Sequence, residues 1–253
     1  MGSERSAEFE AGGTVMTEKK YAAVVLSAGK GTRMNSAVPK QYMMLEGKPV
    51  LYYSLYAFEK SMIDEIVLVT GEEDVEYCRK EIVQKYGFTK IISVTAGGKE
   101  RYHSVFCGLT DLNKEQNRPD YVMIHDGARP FINDEIIWRC ARAAEEFRAC
   151  AAGVPAKDTI KIADESLFVR ETPKRKYVWQ IQTPQAFAFP LIYQAYEELL
   201  NREQRGEFYS VTDDTMVLEA IYGHKVKLVE GSYENIKITT PEDLKLAKAF
   251  LPE

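Results

Sequence analysis

With 253 residues, 45% apolar and 28% charged, the chain can supply one large α/β domain or two modest ones, and its usage is that of an ordinary globular protein. No apolar run approaches the roughly 18 to 20 residues that cross a bilayer, and the composition excludes collagenous and disordered classes. Lys and Arg number 33 against 38 Asp and Glu, a net charge of −5, so no global field draws nucleic acid and any bound phosphate needs a local cluster of cations.

Residues 1–16 are polar, rich in Gly, Ser and Glu, and carry no signal-peptide pattern. They read as a disordered leader or added segment, leaving 17–253 as a single domain. From Tyr21 onward, β-branched runs alternate with helical patterns, the mark of parallel strands joined by helical crossovers. Strands are expected over 22–26, 65–70, 90–94 and 121–125, and helices over 51–59, 73–86, 101–112 and 134–147. The expected fold is α/β, a mostly parallel, doubly wound twisted sheet flanked by helices. From Ala151 the pattern changes to short strands around 158–162 and 168–170, beside a charged Pro-Lys-Arg-Lys stretch at 173–176. That excursion is too short to own a core, so it reads as a β-arm projecting from the sheet at about 155–180. Helices near 191–200 and 214–222 and a strand at 225–229 follow. A last helix opens at Thr240-Pro241-Glu242-Asp243, with a Thr N-cap, Pro at N1 and acids in the first turn.

Cys78, Cys107, Cys140 and Cys150 form no CxxC pair and read as reduced thiols of a cytoplasmic protein. Three histidines without HExxH argue against a zinc hydrolase. The loop after the first strand, SAGKGTRM at 27–34, lies where an open α/β sheet binds ligands. Its glycines allow close approach of backbone N–H groups to phosphate, and Lys30, Arg33 and Lys40 supply charge. It fits neither GxGxxG, for which Met34 replaces the third glycine, nor a P-loop. PKQY at 39–42 fixes the backbone just before Lys40. GGKERYHSV at 97–105 follows the third strand and opens a helix, giving a second backbone edge that can read a base. HDGARPF at 125–131 puts Asp126 at a strand end, where it could hold Mg²⁺ against phosphates, although taken alone it reads more readily as a turn or capping residue. His125 reads as a packed strand-end residue rather than a base. A dinucleotide-dependent oxidoreductase is disfavoured because the second strand closes on Thr70-Gly71 rather than on an acid. A non-catalytic nucleotide-binding subunit would be expected to lack Arg33, Lys40 or Asp126.

Together with DTIK at 158–161, WQIQTPQAF at 179–187, VTDD at 211–214 and NIKITTPEDL at 235–244, these ordered motifs resemble the 2-C-methyl-D-erythritol 4-phosphate cytidylyltransferases across nearly everything from Tyr21 onward. The resemblance implies a Rossmann-like nucleotidyltransferase fold, a homodimer built through the β-arm, and Mg²⁺-dependent transfer of CMP from CTP to a polyol phosphate, with neither nucleic acid nor membrane as partner. It implies that Arg33, Lys40 and Lys237 act on the phosphates, with Gly29 and Gly31 in the phosphate loop. Ser27, Ala28, Gly98 and Ser104 would border the cytosine, and Asp126 would bind the metal. Thr159, Thr183, Thr212 and the partner subunit's Arg175 would hold the acceptor. Ser27, Lys99 and Gly127 stand where some relatives differ, and contacts through backbone make these departures mild. The alternative acceptor is ribitol 5-phosphate, used by related cytidylyltransferases of cell-wall polymer synthesis.

Overall fold

Strand β1 (Tyr21–Ser27) is apolar on both faces because both faces are covered, as expected of a central strand in a parallel sheet. The computed structural model describes residues 19–29, 38–114, 118–207 and 210–251; the leader, Gly31 and Arg33 lie outside the described residues. After β1, a 3₁₀ turn (Lys40–Tyr42) leads to the small ribbon of β2 (Met44–Leu45) and β3 (Lys48–Pro49), then to α1 (Val50–Lys60) and β4 (Glu65–Thr70). A broken helical stretch containing α2 (Val75–Tyr77) precedes β5 (Ile91–Ala96), α3 (Arg101–Lys114), β6 (Tyr121–Asp126), α4 (Asp134–Phe147) and β7 (Ala149–Pro155). The arm carries β8 (Ile162–Ala163) and β9 (Val169–Glu171). The chain then returns through β10 (Trp179–Ala188), α5 (Phe189–Gln204), α6 (Asp214–Tyr222), β11 (Lys227–Glu230) and α7 (Pro241–Phe250).

Among the described residues the main sheet has seven strands in the order β11-β7-β10-β6-β1-β4-β5. Alternation along β1 splits its side chains between two cores. Ala23 and Val25 join Leu55, Phe58, Ile136 and Cys140 under α1 and α4, while Ala22 and Val24 join Leu109, Ile192 and Val217 under α3, α5 and α6. Each fully buried aliphatic side chain contributes about 1.5–3 kcal/mol, so these two layers fix the sheet between them. From β1 the chain moves outward to β4 and β5, then returns to place β6 on the other side of β1. The carboxyl ends of β1 and β6 therefore flank a topological switch point, where open α/β sheets leave a crevice.

The sequence-expected strands and helices fall within a few residues of those observed, and besides the unexpected β2–β3 ribbon there are four differences. Residues 73–86 do not form one α-helix: a 3₁₀ turn (Glu72–Asp74) and α2 lead into a π-helical stretch (Cys78–Gln84). Only Cys78 and Ile82 of that stretch are buried, so apolar spacing marked the buried face without fixing the hydrogen-bond period. Residues 158–161 are not strand, and the arm ribbon is confined to β8 and β9. Strand β7 was not expected, because its small ACAAGV run lacks β-branched bulk; its side chains are nevertheless buried up to Val154. Strand β10 was not expected either, and it runs antiparallel to both β6 and β7. Its register against β7 shifts between Ile181 and Gln185, where the Thr183–Pro184 peptide is cis. At the C-terminus the expected cap is present in full: Thr240 and Asp243 form a reciprocal capping box with Pro241 in the first turn.

Candidate active site

Beyond the carboxyl ends of β1 and β6 lies a cleft of about 520 Å³. Its first wall is the loop leaving β1, to which Ser27, Ala28 and Gly29 contribute, and the turn carrying Lys40 and Gln41. Ser27 is buried and its hydroxyl donates to the Val69 carbonyl at 3.2 Å, so it faces the next strand. Gln41 is buried too, and its Nε2 donates to the carbonyls of Ser27 (2.6 Å) and Gly29 (3.2 Å).

The second wall is the start of α3. The Gly98 N–H donates to Ser104 Oγ at 3.1 Å, which draws the glycine pair onto the helix. A Cβ at Gly97 would lie 2.6 Å from Ser104 Oγ and 2.9 Å from Ala28 Cβ, and one at Gly98 would lie 2.4 Å from His103 Cβ. Only glycine lets this turn approach the β1 loop so closely. Gly98, Lys99, Glu100, Arg101 and Ser104 all line the cleft.

At the floor sits Asp126, the last residue of β6 and only 8% exposed. Lys237 Nζ lies 2.8 Å from Oδ2, Arg101 Nε 3.4 Å from Oδ1 and Arg129 Nε 3.7 Å from Oδ2. Burial alone would raise its pKa, but the charges of Arg101, Lys237 and Arg129 outweigh burial and hold it well below the usual carboxylate range. The Asp126 N–H donates to Thr183 Oγ1 at 3.0 Å. Behind it, His125 is fully buried, and burial pushes its pKa down to about 4. Its Nε2 lies 3.2 Å from the Arg129 carbonyl, which can only accept, so Nε2 carries the proton and Nδ1 accepts from the Thr183 hydroxyl at 3.1 Å. The Thr183 proton is thereby engaged within the fold.

Arg101 is held from behind by a bidentate pair with Asp214, the first residue of α6, at 2.7 and 2.8 Å. Asp214 is fully buried and also accepts from Tyr196 Oη at 2.6 Å. Desolvation would lower the Arg101 pKa, but the two neighbouring carboxylates dominate and raise it. Lys237 is placed by the segment before α7: Arg129 Nη1 donates to the Asn235 carbonyl at 2.9 Å, and the Ile238 N–H to the Ala128 carbonyl at 2.8 Å. Strand β10 braces these loops through buried amides. Gln182 Nε2 donates to the Ser232 carbonyl, while Gln185 Oε1 accepts from the N–H groups of Asp214 and Thr215.

Of the candidates read from sequence, Ser27, Ala28, Gly29, Lys40, Gly98, Ser104, Asp126 and Lys237 are brought together on the cleft. Thr183 supports its floor. Thr159 and Arg175 are exposed on the arm, where Arg175 Nη1 donates to the Lys157 carbonyl at 2.9 Å. Thr212 is exposed beside α6, its hydroxyl 2.9 Å from Met216 Sδ. None of these three lines the cleft. Sequence reading gave no role to Gln41, Arg101, Arg129, Asp214 or the β10 glutamines. Arg101 and Arg129 sit inside motifs already singled out, and the polar residues within the QIQTPQAF run were the signal for β10.

A glycine loop after the first strand, a carboxylate on the strand beside it and a ring of cations at the switch point together define a nucleotidyltransferase with a Rossmann-like fold. Residues 21–253 match the family described as 2-C-methyl-D-erythritol 4-phosphate cytidylyltransferase, and the chain belongs to that family. The protein of that name from Lachnospira eligens is 50% identical over 230 residues, covering 90% of this chain and 98% of the relative. That from Lachnoclostridium phytofermentans is 46% identical over 235 residues, covering 93% and 97%. Among solved structures, the 4-diphosphocytidyl-2C-methyl-D-erythritol synthase of Anaerococcus prevotii superposes with a TM-score of 0.78 at 38% identity, covering 92% of this chain and 96% of its own.

Proposed function

We propose that the protein transfers the cytidylyl group of CTP to the phosphate of 2-C-methyl-D-erythritol 4-phosphate. An oxygen of the acceptor phosphate forms a bond to the α-phosphorus, the bond between that phosphorus and the α–β bridging oxygen breaks, and pyrophosphate leaves. The observation that carries this reading is the convergence of Lys40, Lys237 and Arg101 on one nucleotide-sized cleft beside the glycine loop, with Arg129 adding charge behind Asp126. The dominant obstacle is repulsion between a phosphate carrying nearly −2 and a triphosphate carrying about −4, so positioned cations answer it. The acceptor phosphate is largely ionised at neutral pH, since its second pKa is about 6, and no general base is required. His125, neutral and sealed behind Asp126, is accordingly a packing residue.

In this reading Lys40 and Arg33 hold the triphosphate, with Gly29 and Gly31 in its loop, and Lys237 leaves Asp126 to pair with the α-phosphate. The Ser27–Ala28 backbone, Gly98 and Ser104 border the cytosine. Asp126 suits Mg²⁺: it is an ionised hard oxygen donor on the cleft, and among the described residues no cluster of three acidic, His or Cys ligands would make a metal site without phosphates. Bound there with the nucleotide, the metal would supply Lewis-acid neutralisation of the phosphates. Thr159, Thr212 and the partner subunit's Arg175 hold the acceptor, and Thr183, its hydroxyl engaged by the Asp126 N–H and His125, orders the floor beneath it rather than contacting the acceptor directly. The exposed Leu167, Phe168 and Tyr177 of the arm support a homodimer built through that arm. Free cysteines and the absence, among the described residues, of a helix long and apolar enough to cross a membrane are compatible with a cytoplasmic enzyme. No observation favours ribitol 5-phosphate as acceptor. Pyrophosphate release with CTP and Mg²⁺ tests the reading: it should require 2-C-methyl-D-erythritol 4-phosphate and stay at background with ribitol 5-phosphate. The reverse pattern would reassign the acceptor, and silence with both would overturn the activity.

A further inference from the structure

We propose that Gln41 is a positioning residue that locks the loop after β1 to the turn bearing Lys40, so that backbone and lysine meet the nucleotide as one body. The inference rests on the nucleotidyltransferase reading above. Gln41 is 2% exposed although it lines the cleft. Both groups facing its Nε2 are carbonyl oxygens, those of Ser27 and Gly29, so the amide nitrogen rather than the oxygen must point at the loop. In a planar trans peptide the carbonyl and the following N–H point in opposite directions. Capturing the Ser27 carbonyl therefore also fixes the direction of the Ala28 N–H, part of the cleft wall.

The turn itself does not depend on this amide. It is closed by the Tyr42 N–H to the Pro39 carbonyl at 2.9 Å, and the Tyr42 hydroxyl is anchored on the other side, 2.7 Å from Thr70 Oγ1 and 3.2 Å from Cys78 Sγ. Tyr42 thus braces the turn against the sheet, and the Gln41 amide spans the remaining gap to the loop. A side chain used only to fill space there would not need two donor protons. Without them, two carbonyls lose their shared partner and the loop dipoles are free to reorient, which costs a preorganised anion site its affinity.

The decisive variant is Gln41→Met, close in size and without donors; Gln41→Asn, one methylene too short to span the gap, is the second. Calorimetry should find CTP bound about tenfold more weakly by both, with the KM for the acceptor phosphate within twofold and the thermal midpoint near wild type. Hydrogen exchange at the Ala28 amide of the unliganded protein should accelerate in both. Unchanged CTP affinity together with unchanged exchange, or a lowered midpoint with CTP affinity intact, would overturn the proposal. Accelerated exchange in a protein whose wild type does not bind CTP would keep the latch and remove the CTP reading instead.

Discussion

Around Asp126, one chain supplies every contact that fixes the groups on the cleft floor: three cations on the carboxylate, a threonine on its N–H, a buried aspartate behind Arg101. Residues 156–178 are the opposite. The β8–β9 ribbon pairs only with itself, and Ile162, Leu167, Phe168, Val169 and Tyr177 stay exposed. Apolar surface gathered on a projection without a core is the surface that the proposed homodimer would cover. In the proposed reading the nucleotide half of the site is complete within one chain, whereas Thr159 and Arg175, assigned there to the acceptor, lie on the arm and away from the cleft. The most informative experiments attack one half and ask whether the other responds.

The largest effect is expected at Asp214. Replacing it with Asn removes the bidentate partner of Arg101 from a fully buried position, and breaking one side of such a pair costs about 3–5 kcal/mol. Urea unfolding should show that loss, and a midpoint within error of wild type would mean that Asp126 alone suffices to hold Arg101. Next in size is Lys40→Ala, which should lower kcat a hundredfold or more, on the order of 3 kcal/mol of transition-state stabilisation. The urea midpoint should stay close to wild type, because Lys40 is a partly exposed residue at the cleft rather than a core residue. Turnover that survives the change would remove Lys40 from the chemistry.

Legibility in the sequence follows the same division. Strands β4 and β6 were readable because β-branched runs ending in Thr70 and Asp126 have a strong local signature, and α4 because its apolar residues recur at helical spacing on the face it buries. Ser27, Gly98 and Asp126 were readable because Ser27 and Asp126 end their strands and Gly98 lies just past one, where an α/β sheet places its ligand. The supporting groups were not. Arg101 meets Asp214 across 113 positions and Thr183 meets His125 across 58, distances that no local periodicity encodes. Strand β10 escaped notice because three glutamines and a Pro interrupt its apolar run, and two of these glutamines, Gln182 and Gln185, are buried because other loops need their amides.

A smaller and pH-dependent effect tests how well the cleft floor is sealed. His125 stays neutral in the native state down to about pH 4, whereas in the unfolded chain it takes up a proton near its ordinary value of 6.5. Between these values the unfolded state binds more protons, so stability falls as the pH drops from about 6.5 toward 4, with a slope approaching 1.4 kcal/mol per pH unit. In His125→Gln this slope should flatten when urea midpoints are compared at pH 7, 6 and 5. An equally steep loss in the variant would assign the acid sensitivity to other groups.

The smallest expected effect bears most directly on the arm. Arg175→Ala should leave CTP binding intact and lower kcat/KM for the acceptor about tenfold, near 1.4 kcal/mol. If the arm serves the neighbouring cleft, a heterodimer of Arg175→Ala and Lys40→Ala chains contains one site with both residues intact, formed by the cleft of the first and the arm of the second. Random reassembly makes half the dimers mixed, so about a quarter of the sites should regain wild-type turnover. That gain should appear only after the two variants are exchanged through a dissociated state, and simple mixing of stable dimers should give none. A verified heterodimer no more active than its parents would place Arg175 in service of its own chain, where its present bond to the Lys157 carbonyl would be its whole role, and the contrast between a self-sufficient cleft and a dependent arm would fail.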